Sequence, residues 1–156
     1  MKTKVLFVCM GNICRSAAAE AVMKKRVEKR GLSADIEIDS AGILSYHQGE
    51  RADPRMRQHA AKRGYDVTSI SRPVKSGDFD KFDLIIGMDD ANIKDLHSRA
   101  KTATHKAKIH RMTEYSQKYD YSYIPDPYYG GAAGFELVLD LLEDACEGLL
   151  LNLEKQ

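Results

Sequence analysis

Cysteine is scarce in this chain of 156 residues: there are three, Cys9, Cys14 and Cys146, an odd number and too few for a disulfide framework. A domain of this length folds around a core without such bridges, and the sparing use of thiols fits a reducing cytoplasm, the expected location. Net charge is nearly absent too, since 24 Lys+Arg against 23 Asp+Glu leave a formal +1. That balance argues against nucleic acid or a polybasic membrane contact as partner, and the basic-looking stretch from Lys101 to Arg111 reads as a solvated face. Long apolar runs are missing as well. The early one, Val5 to Met10, is far shorter than a membrane span or a signal segment with its flanks. Repeats, low-complexity tracts and linkers are lacking, and with 43% hydrophobic and 30% charged residues the composition is that of an ordinary globular protein. One domain covering residues 1–156, soluble and monomeric, is expected.

What is present is an alternation of strands and helices. Lys4 to Cys9 reads as a strand covered on both faces, broken by Gly11 and Asn12. Ser16 is a candidate N-cap for a helix over Ala17 to Arg30, with Ala19, Val22, Met23 and Val27 on one stripe and Gly31 as its stop. Ile36 and Ile38 mark a second strand ending at Ser40-Ala41-Gly42, and a helix follows from about Arg55 to Lys62, closed by Gly64. Phe82 to Met88 is a third strand, after which Asp89 to Asn92 open a helix running to about Arg99. Lys106 to Met112 is a weaker fourth strand. Thr113 to Gly134 holds the dense turn chemistry, Pro125-Asp126-Pro127 and Gly130-Gly131, and should be an exposed loop. From Phe135 on, apolar residues at spacings of three and four define a long C-terminal helix. The pattern implies an α/β domain with a parallel sheet, in which ligands bind beyond the carboxyl ends of the strands. That rule selects the loop Cys9 to Ser16.

Cys9-Met10-Gly11-Asn12-Ile13-Cys14-Arg15-Ser16 puts a thiol at a strand end and an arginine six residues later, at the start of a helix. Backbone N–H groups of such a loop, together with the helix N-terminus, form a concavity for a tetrahedral dianion. Arg15 at its rim can clamp two phosphate oxygens, and Gly11 lets the backbone come close. A thiol facing a helix N-terminus beside an arginine is favoured as thiolate, which sets up Cys9 as a nucleophile with Ser16 as a hydrogen-bond donor to its sulfur. The Lys-Ser/Thr ending of a Walker A loop is missing. Attack on a phosphate ester also requires an acid for the departing oxygen. Asp126, stiffened by Pro125 and Pro127 in a loop able to reach a strand-end site, is the candidate, and Tyr128 and Tyr129 are placed to wall an aromatic substrate.

Val8-Cys9-Met10-Gly11-Asn12-Ile13-Cys14-Arg15-Ser16 together with Asp126-Pro127-Tyr128-Tyr129 closely resembles the low-molecular-weight protein tyrosine phosphatases. Asp39 to Gly42, Ser71-Arg72-Pro73 and Met88 to Asn92 resemble interior signatures of the same family. The resemblance implies a four-stranded parallel sheet flanked by helices, with no metal or cofactor and a cysteinyl-phosphate intermediate. By position it implies Cys9 as nucleophile, Arg15 as clamp and Asp126 as the acid that later activates water. Met10, Gly11, Asn12, Ile13, Cys14 and Ser16 would contribute to the phosphate-binding loop. Asn12 and Ser40 would support that loop, while Tyr46 and Tyr128 would wall the cleft. The implied partner is a phosphotyrosine protein or a small aryl phosphate, with inorganic phosphate as product and competing ligand.

Two departures stand out. Ala17 replaces a usual proline, and Ser69 replaces a loop-supporting histidine, leaving a serine that could reach Asn12 directly or through water. Arsenate reduction is disfavoured because Leu84 to Arg99 holds no cysteine, and arginine phosphatases differ by a threonine where Ile13 stands. A non-catalytic phosphotyrosine-binding module would lack one of the three key groups, and a dithiol oxidoreductase would have two residues between its cysteines instead of four. Cys14 is expected to act as a redox partner, trapping oxidised Cys9 as a reversible disulfide.

Overall fold

Strand β1 (Thr3–Cys9) lies inside the sheet, and its side chains feed two separate cores. The computed structural model describes residues 2–128 and 130–155. Val5, Phe7 and Cys9 point to one face, beside Ile36, Ile38 and Ile86, whereas Leu6 and Val8 point to the other, beside Ile85 and Ile109. This two-sided burial is why the strand is continuously apolar and not alternating. Around it run β2 (Ile36–Gly42), β3 (Leu84–Gly87) and β4 (Ile109–Arg111), all parallel, in the order β2-β1-β3-β4.

On the first face, α1 (Arg15–Lys29) packs against the C-terminal helix, and α2 (Pro54–Lys62) against that helix as well. The second face is covered by α3 (Asp78–Lys81) through Phe79 and by α4 (Asp90–Arg99) through Leu96. The short α5 (Ala103–Ala107) buries none of its residues, and a 3₁₀ turn, Met112–Tyr115, follows β4. The last helix, α6 (Gly131–Glu154), turns Phe135, Val138, Leu139, Leu142, Cys146, Leu149 and Leu150 inward, the stripe expected from its spacing. Among the described residues no helix is long and apolar enough to cross a membrane.

The chain leaves β1 toward β2 on one side and reaches β3 on the other, so the carboxyl end of β1 opens onto a crevice. Cys9 ends the strand at that point. Local differences from the sequence reading have local causes. Helix α1 is capped by Cys14, without a side-chain cap bond, and not by Ser16, whose hydroxyl is drawn to the sulfur of Cys9 inside the helix's first turn. At its other end, Gly31 takes φ +70°, a left-handed conformation that suits glycine. Strand β4 is shorter than expected because α5, capped by Thr102 accepting from the His105 N–H at 3.0 Å, runs on through Lys106 and Ala107, the first residues of the presumed strand. Asp89 closes a full capping box with Asn92 at the start of α4.

Candidate active site

The loop from Cys9 to Arg15 is held from outside by its carbonyl groups. Cys9 C=O accepts from Ile43 N–H and Met10 C=O from Leu44 N–H, each at 2.9 Å. Gly11 C=O accepts from the Ser71 hydroxyl at 2.9 Å, Ile13 C=O from Asp53 N–H at 2.8 Å, and Cys14 C=O from Ala18 N–H at 2.9 Å. A planar trans peptide turns its N–H away from its C=O. With these carbonyls engaged outward, the N–H groups of Met10, Gly11, Asn12, Cys14 and Arg15 turn toward the middle of the loop, a ring of donors suited to an oxyanion.

Asn12 makes the bend with φ +58°, a conformation that asparagine tolerates better than most residues. Its buried side chain is fully used. The amide nitrogen donates to Ser16 Oγ at 2.8 Å and Ser40 Oγ at 2.9 Å, while the amide oxygen accepts from Arg72 N–H at 3.1 Å. Ser40 in turn donates to Glu20 at 2.6 Å, and Lys24 neutralises that carboxylate. Ser69 does not join this network: its hydroxyl is buried without a partner among the described residues. A direct hydrogen bond from Ser69 to Asn12 is thus not formed; the Asn12 amide oxygen is taken instead by the Arg72 N–H.

Cys9 is 3% exposed at the floor of the ring. Its sulfur shares a hydrogen bond with Ser16 Oγ at 3.0 Å and accepts from Ser16 N–H at 3.4 Å. Since Asn12 donates to the Ser16 oxygen, the hydroxyl proton can go to the sulfur at 3.0 Å or to the more distant Ala41 carbonyl at 3.5 Å. Cys14, five residues on, is also buried, and all three thiols are free. Burial, then the nearby Asp53 and Cys9, push the Cys14 thiol well above its ordinary range, so it stays protonated.

Arg15 is 2% exposed, and its guanidinium is divided between tasks. Nη1 donates to Asp89 at 2.7 Å and to the carbonyl of Ile124 at 2.9 Å, while Nη2 lies 3.9 Å from Asp126. Burial works against its charge, but the facing Cys9 and Asp89 outweigh burial and hold its pKa above the ordinary value. Asp126 is 46% exposed at the mouth, with one oxygen accepting from Tyr128 N–H at 3.0 Å. The cleft above the sulfur encloses about 400 Å³ between Met10, Ile13, Leu44, Tyr46, His47 and Tyr128.

Tyr46 is the most open of these walls, 82% exposed and edge-on to His47, and Tyr128 is backed by the Arg55 guanidinium 5.1 Å from its ring centre. Arg55 is gripped by both oxygens of Asp53, the residue that fastens Ile13. Tyr129, the other expected wall, lies outside the described residues. Sequence reasoning missed His47 and Leu44 in the cleft, Arg55 behind Tyr128, and Asp89 and Ile124 at Arg15. Asp89 had a visible signal as a helix cap, but its link to Arg15 spans 74 positions.

A family model described as low molecular weight phosphotyrosine protein phosphatase matches residues 4–156. The chain belongs to this family. A low molecular weight phosphotyrosine protein phosphatase of Homo sapiens is 37% identical over 94% of this chain and 92% of its own. A Synechocystis protein that carries the family's name is 46% identical over 98% of both chains. Among solved structures, a protein tyrosine phosphatase from Entamoeba histolytica with Hepes in its active site superposes with a TM-score of 0.96. That similarity comes with 51% identity and covers 99% of this chain and 98% of the other. The four-stranded parallel sheet with helices on both faces is thus the fold of these phosphatases.

Proposed function

We propose that the protein hydrolyses phosphotyrosine and small aryl phosphates through a cysteinyl-phosphate, with Cys9 as nucleophile, Arg15 as clamp and Asp126 as general acid and base. The observation that carries this reading is the convergence at the β1 end. The Cys9 sulfur lies 3.0 Å from Ser16 Oγ at the base of the loop, and Cys9, Arg15 and Asp126 line one cleft, with Arg15 Nη2 3.9 Å from Asp126. Phosphate oxygens would take the N–H groups and Arg15, placing phosphorus over the sulfur. The thiolate then attacks while the ester P–O bond breaks, and the Asp126 carboxylic acid gives its proton to the departing phenolate. In the second step the Asp126 carboxylate removes a proton from water as that water attacks phosphorus. The S–P bond breaks, inorganic phosphate leaves, and the Ser16 hydroxyl hydrogen-bonds the recovered thiolate. Charge on the equatorial oxygens is met throughout by preset donors.

The apolar walls Met10, Ile13 and Leu44 and the rings of Tyr46 and Tyr128 favour an aryl group over a short alkyl chain. The deciding assay compares phosphotyrosine, phosphoserine, phosphoarginine and arsenate side by side, with and without chelator. Phosphotyrosine turnover that survives chelation and vanishes in folded Cys9→Ser is expected; turnover retained by Cys9→Ser would falsify the reading.

A further inference from the structure

Of the carbonyls that face outward from the phosphate loop, those of Cys9, Met10, Ile13 and Cys14 are tied by backbone N–H groups, and that of Gly11 by a side chain, Ser71 Oγ, at 2.9 Å. Planarity makes that bond directional: fixing the Gly11 C=O outward fixes the Asn12 N–H inward. It acts where the backbone has most reason to turn, since the next residue, Asn12, is a non-glycine at φ +58°. Arg72, adjacent to Ser71, holds the Asn12 side chain through its own N–H at 3.1 Å.

The holding segment is itself fixed. Ser71 N–H donates to Glu50 C=O and Ser71 C=O accepts from Gly49 N–H, each at 2.9 Å, while the Arg72 guanidinium is clamped by Asp39 and Asp78 at 3.0 Å. Ser71 is 2% exposed, and Ser69, the other serine of the segment, points to no partner among the described residues. We propose that Ser71 is a positioning residue for oxyanion recognition: its hydroxyl sets the Gly11–Asn12 peptide so that the Asn12 N–H is presented to a bound phosphate. The proposal rests on the phosphatase reading of the Cys9 loop.

The test uses the whole protein, labelled with 15N, and inorganic phosphate and vanadate as probes. In the wild type, phosphate shifts the Asn12 amide resonance. In Ser71→Ala that shift is lost or much reduced, both oxyanions inhibit about tenfold more weakly, and KM for phosphotyrosine rises in parallel. Ser71→Thr, which keeps the hydroxyl, restores affinity and the Asn12 shift. A Ser71→Ala protein with wild-type oxyanion affinity, or a Thr variant as weak as the Ala variant, overturns the proposal. So does a wild-type Asn12 amide that phosphate leaves unmoved, a result that needs no variant to fold. In that case turnover of phosphotyrosine and phosphate-induced shifts at Gly11 and Cys14 would leave the phosphatase reading intact; their absence would remove both.

Discussion

Replacing Asp144 with alanine should destabilise the fold strongly while sparing the chemistry. Asp144 is 7% exposed on α6, and one of its oxygens accepts from three consecutive N–H groups, those of Gln117 and Lys118 at 3.0 Å and Tyr119 at 3.3 Å. A hydrogen bond to a charged group contributes about 1.5–3 kcal/mol. Residues 117–119 are exposed, however, so water replaces part of what each N–H loses, and the bond to Tyr119 is long. The net cost for Asp144→Ala is therefore about 2–4 kcal/mol, a large share of the roughly 5–15 kcal/mol that holds a domain together. Asp144→Asn, which keeps an oxygen but not the charge, should lose about half as much.

Urea unfolding reads this as a fall in midpoint at constant slope. Activity of the folded fraction should stay within about twofold, because the segment is pinned again before Asp126 by Ile124 N–H to Met88 C=O at 2.8 Å and by Arg15 to Ile124 C=O. A loss below about 0.5 kcal/mol would show that water does the work of Asp144, and a tenfold fall in kcat/KM would show that the two anchors are not independent.

Asp126→Asn should lower turnover of phosphotyrosine at least about a hundredfold but that of an ester with a low-pKa leaving group far less, and equal losses would remove Asp126 from the acid's role. After mild peroxide treatment, a Cys9–Cys14 disulfide mapped by peptide analysis should account for the activity that thiols restore, and Cys14→Ser should abolish the recovery. Because the Cys14 thiol is raised by burial, its thiolate fraction grows with pH, so any closure step that uses this thiolate should quicken from pH 7 to 9; a falling rate would contradict that assignment. Gly148→Ala should lower the melting temperature by about 2–8 °C despite alanine's better helix propensity, since its Cβ would stand 1.9 Å from the Tyr115 carbonyl oxygen; an unchanged midpoint would mean that α6 shifts at no cost.

The sheet and its principal helices were legible because their residues carry the period of their environment: an unbroken run for β1, buried on two sides, and steps of three and four for α6. Short elements escaped, since α3 and α5 span four and five residues, less than the window in which a period can be recognised. The Cys9–Arg15 loop was readable from spacing alone, as its members are neighbours in the chain. The parts that hold it were not. Ser71, Asp53 and Leu44 meet the loop from distant segments, and a carbonyl such as that of Ile124 has no side-chain signature. Ser16 illustrates the converse: it reads as a cap in sequence, yet the sulfur outcompetes the helix terminus for its hydroxyl.

Through one nitrogen, Arg15 joins the turn that opens α4, at Asp89, to the segment that carries the acid, at Ile124. The residue proposed to grip the phosphate is thus also the fastener of the loop that would deliver the proton. Opening that loop at Ile124 would break a bond to the clamp, and losing the clamp would leave Ile124 to its tie with Met88 alone, so grip and proton delivery should weaken together. Lysine at position 15 could supply the charge, but as a single ammonium it cannot hold Asp89, Ile124 and an oxyanion in one plane.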